Sequence, residues 1–156
     1  MDIYEVLKND HERILQLIMQ LKTGDDTTER GRLFELLSIT LDEHAQGEEE
    51  LFYPIVGEED ANDTVVASAE EEHDQMDQLV ADLEEIGTRD RRFIERLEDL
   101  ESVFRAHIDV EEHLLFDLAR RELDEADAQR LGREMIEAEP DLPHHTPPPA
   151  GPLSAL

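Results

Sequence analysis

Twice in this chain a histidine is followed 33 or 34 residues later by the pattern His-x3-Glu, and the second occurrence lies 62 to 63 residues after the first. His44-Ala-Gln-Gly-Glu48 runs on into Glu-Glu-Leu-Phe-Tyr-Pro54, and His107-Ile-Asp-Val-Glu111 runs on into Glu-His-Leu-Leu-Phe-Asp117. His11 precedes the first run and His73 the second. A period of this size marks an internal duplication. Each copy has room for two helices and a turn, so two copies give four helices carrying four histidines and two glutamates.

The flanking residues support that count. Asp2 with Glu5 offers a capping box, and Ile3, Leu7, Ile14, Ile18 and Leu21 recur at helical spacing with His11 in the gap of the stripe. Asp26 with Glu29 can start a second helix whose inner face reads Leu33, Leu37, Leu41, His44, Glu48 and Leu51. Pro54 is expected to kink or end it. After a polar connection, Val66, Ala69, His73, Met76, Val80 and Leu83 form a third stripe that stops at Gly87. The fourth stripe is Phe93, Leu97, Leu100, Phe104, His107, Glu111, Leu114 and Leu118. Counted from the turns, His11 and His44 lie at the same depth in one hairpin as His73 and His107 in the other. All six polar groups should therefore meet at one level of an up-down-up-down bundle.

The expected architecture is all-α: a four-helix bundle over residues 1–122, a short fifth helix within 123–139 packing Leu131, Met135 and Ile136 on the outside, and a disordered tail over 140–156. That tail holds six of the seven prolines, a composition that favours extended chain.

Charge and composition narrow the function. With 14 Lys and Arg against 42 Asp and Glu, the net charge of −28 speaks against a nucleic acid or an anionic membrane as partner and favours cations. Without cysteine there is no disulfide, no thiolate metal site and no thiol nucleophile. No apolar run approaches the roughly 18 residues of a membrane span, and the N-terminus carries no signal pattern. The expectation is a soluble cytoplasmic protein, a monomer or weak oligomer, with no protein partner legible.

Carboxylates and imidazoles in a helical core cost several kcal/mol each when nothing compensates them, roughly the penalty of an unpaired buried charge. Lys and Arg are absent from the stripes, leaving metal cations or a wet, poorly packed centre. Two irons fit best, with His11 and His44 on one, His73 and His107 on the other, Glu48 and Glu111 bridging, and an oxo or hydroxo bridge completing the pair. No catalytic residue is read beyond the metal ligands. A ferritin-like carboxylate bundle would need Glu-x2-His on two helices, and among the core histidines only Glu70-x2-His73 has it.

The duplicated His…His-x3-Glu units resemble the hemerythrin-like (HHE cation-binding) family over residues 2 to about 121. The resemblance implies a four-helix bundle with a non-haem di-iron centre that reacts with dioxygen, nitric oxide or peroxide. Tyr4-Glu-Val-Leu-Lys-x2-His11, Leu-Phe-Tyr-Pro54 and Ala-His107-x-Asp-Val-Glu-Glu112 are similar to small stand-alone actinobacterial members, for which peroxide decomposition or oxidative and nitrosative stress handling is expected. The alternative is a module that binds or senses dioxygen, nitric oxide or iron without catalysis. Oxygen carriers of the family have a further histidine one turn after the third-helix histidine, where this chain has Asp77.

Three further residues are candidates beside the six. Asp77 and Glu70 each lie one turn from His73, and a solvated helix edge competes with a role at the metal. Tyr53 would point away from Glu48 on an ideal α-helix, which favours packing. His113 is expected at the surface, and His144 and His145 in the tail carry no specific role.

Overall fold

The computed structural model describes residues 1–139; the proline-rich segment, with His144 and His145, lies outside the described residues. Four long helices, α1 (Ile3–Thr23), α2 (Thr27–Gly47), α4 (Asp63–Ile86) and α5 (Arg92–Val110), run up and down as an all-α bundle. A short α3 (Tyr53–Val56) extends the second, α6 (Phe116–Arg120) extends the fourth, and α7 (Glu125–Ala138) crosses outside. No described helix is long and apolar enough to cross a membrane.

Local chemistry sets these boundaries. Asp2 accepts from the Glu5 amide while the Glu5 carboxylate accepts from the Asp2 amide, so α1 begins with a full capping box. Asp26 caps α2 through the amides of Thr28 and Glu29, and Asp124 caps α7 through that of Asp127. At the end of α4, Gly87 takes φ 83°, a left-handed conformation that side chains with a Cβ rarely adopt.

Two apolar clusters fill the bundle. One, near the helix turns, contains Ile14, Ile18, Leu37, Leu83, Phe93 and Leu97; the other, at the far end, contains Ile3, Leu7, Phe52, Phe116, Leu131 and Met135. The histidines and glutamates form a polar layer between them.

Beyond Glu48 and Glu111 the sequence stripes mislead. Leu51 and Leu118 are only half-buried and Leu114 is 42% exposed, while Phe52, Tyr53, Val56, Leu115, Phe116 and Ala119 are buried. The cause is a π-helical turn in each copy, π1 (Glu48–Phe52) and π2 (Glu111–Leu115). The amides of Tyr53 and Phe116 reach back five residues to the carbonyls of Glu48 and Glu111. The wider turn advances the buried face by one residue. Pro54 sits just beyond π1, in the first turn of α3, where a missing N–H costs little, and the helix ends three residues later at Gly57.

Candidate metal centre

His11, His44, Glu48, His73, His107 and Glu111 all lie at one level and are at most 3% exposed. The imidazoles pair within each hairpin, with ring centroids 4.9 Å apart for His11 and His44 and 4.8 Å apart for His73 and His107. Their Nε2 atoms face the two carboxylates, which split between the pairs. Glu48 Oε1 lies 2.6 Å from His44 Nε2 and 3.4 Å from His11 Nε2, and Glu111 Oε1 lies 3.0 Å from His11 Nε2. On the other side, Glu48 Oε2 is 2.9 Å from His73 Nε2 and Glu111 Oε2 is 3.3 Å from His107 Nε2.

Tyr53 corrects the sequence reading. On an α-helix a residue five positions on is rotated by about 140°, but the π turn brings Tyr53 back over Glu48. Its hydroxyl lies 2.9 Å from Glu48 Oε2, 2.9 Å from Glu111 Oε2 and 3.1 Å from His73 Nε2. With one proton it donates to one carboxylate at a time. The equivalent of Tyr53 in the second copy is Phe116, so the hydroxyl marks only the His73–His107 side.

Each histidine also turns its Nδ1 to an outer carboxylate: His11 to Glu112 at 2.7 Å, His44 to Asp10 at 3.2 Å, His73 to Glu49 at 2.9 Å and His107 to Glu72 at 3.3 Å. Such partners fix the tautomer, leaving the Nε2 lone pair free to bind a cation. These four acids were missed in the sequence, although it doubles them too: Asp10 and Glu72 each precede a histidine, and Glu49 and Glu112 follow Glu48 and Glu111. Glu139, at the end of α7, is fully buried 4.0 Å from His44 Nδ1. Burial and the neighbouring Asp10 push its carboxyl up to about 10.

Asp77 and Glu70 do not join the cluster. Both are exposed, and Asp77 edges a void of about 10 Å³ beside His73 and Met76, room for about one water. His113 is 79% exposed, as its helical position implies.

The electrostatics show what the layer can bind. Burial opposes protonation of His11, yet hydrogen bonds to Glu111, Glu112 and Glu48 raise it to about 10. Burial opposes that of His107 as well, and Glu111, Glu48 and Glu72 prevail to raise it to about 12. Without a cation the imidazoles must therefore bind protons to neutralise the carboxylates. Even so, His44 Nε2, His107 Nε2 and Glu111 Oε1 are buried at ion-pair distance from their partners with no well-aligned hydrogen bond. All three point at the centre, where a cation would satisfy them at once. Groups able to hold ions are His11, His44, Glu48 and Glu111 on one side and Glu48, His73 and His107 on the other, with a third set, Asp10, His44 and Glu139, behind the first. An all-N,O donor set with four imidazoles suits first-row transition metals.

Comparisons with known proteins point the same way. The family model described as hemerythrin HHE cation binding domain matches residues 2–119. Among curated proteins, a DNA nickase from Nostoc sp. is 26% identical over 138 residues, 86% of this chain and 38% of that protein, so the chain spans well under half of that relative's length. Among solved structures, a hemerythrin HHE cation binding domain-containing protein from Mycobacterium kansasii aligns with a TM-score of 0.80 at 26% identity, covering 90% of this chain and 86% of that one.

Proposed function

The chain belongs to the hemerythrin HHE cation-binding family, and from that premise we propose a di-iron protein that reacts with peroxide, dioxygen or nitric oxide, with peroxide decomposition as its main activity. The observation that carries this reading is the split of the two carboxylates. Both Oε1 atoms face His11 and His44, and both Oε2 atoms face the other pair, so each glutamate spans two adjacent positions.

His11 and His44 would hold one ion, His73 and His107 the other, and Glu48 and Glu111 both. Iron is the proposed metal, as a pair sharing an oxo or hydroxo bridge, and it would supply the electron transfer that peroxide chemistry needs and no side chain here provides. The protein's own part is to hold, neutralise and exclude. Glu112, Asp10, Glu49 and Glu72 orient the four imidazoles through Nδ1. The two apolar clusters cover the polar layer from both ends of the bundle. Tyr53 places an O–H on the second position, within reach of an oxygen of a ligand bound there.

The second reading is a module that binds or senses a diatomic ligand or iron without turnover. The void beside His73, with room for one small ligand of about the size of water, is the observation on its side. A nucleic-acid substrate is not proposed: the DNA nickase relative is a much longer protein, and a charge of −28 repels phosphate.

Metal analysis together with an oxygen electrode separates the readings. Two irons per chain with sustained oxygen release from hydrogen peroxide support the enzyme, whereas two irons without release support the binding module.

A further inference from the structure

The duplicated halves present two equivalent grooves beside the metal layer, and among the described residues only one is covered. Over α1 and π1, helix α7 lays Leu131 and Met135 on Ile3, Val6 and Leu7. Counted 62 residues on, those three become Val65, Ser68 and Ala69. Among the described residues no helix crosses there. The smaller side chains leave a cavity of about 260 Å³ between α4 and π2. Val110 and Leu114 stand exposed on π2's side of it, and the buried His107 and Glu111 form its inner end.

We propose that this cavity admits the ligand to the His73–His107 side of the centre and takes a small organic hydroperoxide, head group toward His107 and hydrocarbon body against Ala69 and Leu115. The head group rests on the peroxide reading above; the body rests on the cavity. One water occupies about 30 Å³ of liquid, so this space is far larger than hydrogen peroxide or a diatomic gas requires. Its walls are mainly apolar, with the hydroxyls of Thr64 and Ser68 as its uncharged polar groups. No Lys or Arg lines it to draw in an anion, and the carboxylates of Glu72 and Glu111 at its inner end are already taken up by His107. An uncharged molecule with a compact apolar body and a hydrogen-bonding end fits all three features.

The test uses 2-phenyl-2-propanol, the unreactive alcohol that cumene hydroperoxide becomes on losing its terminal oxygen, titrated calorimetrically into the metal-loaded protein. Ser68 is exposed, so Ser68→Phe narrows the cavity from a helix surface that tolerates it. Wild type is expected to bind the alcohol and S68F to bind it about tenfold more weakly or less, the discrimination a filled apolar pocket achieves. Crystals soaked in the alcohol provide a measurement independent of the variant, with density expected between α4 and π2. Equal affinity in a folded S68F, or density elsewhere or absent, overturns the proposal. Because the alcohol is not turned over, its binding stands or falls apart from catalysis. Oxygen release from hydrogen peroxide without alcohol binding removes the hydroperoxide site and leaves the peroxide function, and the converse removes the function and leaves the site.

Discussion

His11 in the first hairpin holds its Nδ1 2.7 Å from the Glu112 carboxylate in the second. His73 makes the matching contact with Glu49 at 2.9 Å in the opposite direction. The two copies are therefore cross-braced at the metal layer, and each hairpin orients one imidazole of the other. Loss of such an outer carboxylate typically lowers metal affinity by about 10–100-fold. Glu112→Gln and Glu49→Gln are expected to fall in that range by chelator competition while the helical signal stays unchanged. Wild-type affinity in both would show that the bracing is incidental.

Tyr53→Phe removes the hydroxyl that lies between two buried carboxylates. In metal-free protein a buried acceptor that loses its donor costs about 1–3 kcal/mol. Urea unfolding in the presence of chelator should show a loss of that size, and the iron-loaded variant should differ from wild type in visible absorption. An unchanged spectrum would mean that the hydroxyl does not sense the metal.

The metal-free protein should lose stability as the medium becomes alkaline. His11 and His107 are raised from 6.5 to about 10 and about 12 in the fold. A raised imidazole contributes fully below its unfolded value and nothing above its folded one. Glu48 is held well below its usual 4.5: burial opposes this, but His44 and the other imidazoles prevail, so its contribution is lost on the acid side. Glu139, raised from 4.5 to about 10, adds a loss that begins near pH 4.5, so denaturation midpoints of chelated protein should peak near 4.5 and decline toward pH 10. Iron affinity should rise over that alkaline range, because binding displaces the same protons. A flat midpoint from neutral to alkaline pH would falsify the protonated-histidine account.

Gly132 allows α7 to cross the start of α1. A Cβ there would meet the Met1 carbonyl oxygen and lie 2.8 Å from the Asp2 carbonyl carbon. Backbone cannot yield as a flexible side chain does, so Gly132→Ala should destabilise the protein by about 1–3 kcal/mol, despite the better helix propensity of alanine. A thermal melt decides it: a raised midpoint would mean that α7 slides freely on α1.

Metal removal should lower the unfolding midpoint, because an ion bound only by the folded state stabilises it by mass action. Calorimetric scans with and without chelator measure the difference. Identical scans would indicate that no ion is bound in the folded protein.

The number of helices, the caps at Asp2 and Asp26, and the convergence of six polar residues were legible because they depend on spacing and on side chains at helix ends. The π turns were not. Nothing in Glu48-Glu-Glu-Leu-Phe distinguishes a five-residue turn from an α turn, since the choice is made by which side chains the bundle can bury. From that one unread feature came the errors at Leu51, Leu114 and Leu118 and the misplacement of Tyr53. Glu139 was hidden for another reason: it belongs to a helix outside the repeat, and only tertiary packing brings it to His44. The outer acids were on the page as doubled Asp-His or Glu-His and Glu-Glu pairs, but a solvated helix face explains such acids equally well until the Nδ1 contacts are seen.

Helix α7 closes the flank beside His11 and His44, while among the described residues the flank beside His73 and His107 stays open. Access on one side imposes an order on filling and emptying. If two ions bind as proposed, one bound for the closed position would pass through the open one, so the His11–His44 position should fill first and the ion between His73 and His107 should be the first to leave. Under iron scarcity the population would then collect as half-loaded chains with the closed position occupied, a species that slow exchange with a labelled isotope would reveal as two distinct rates.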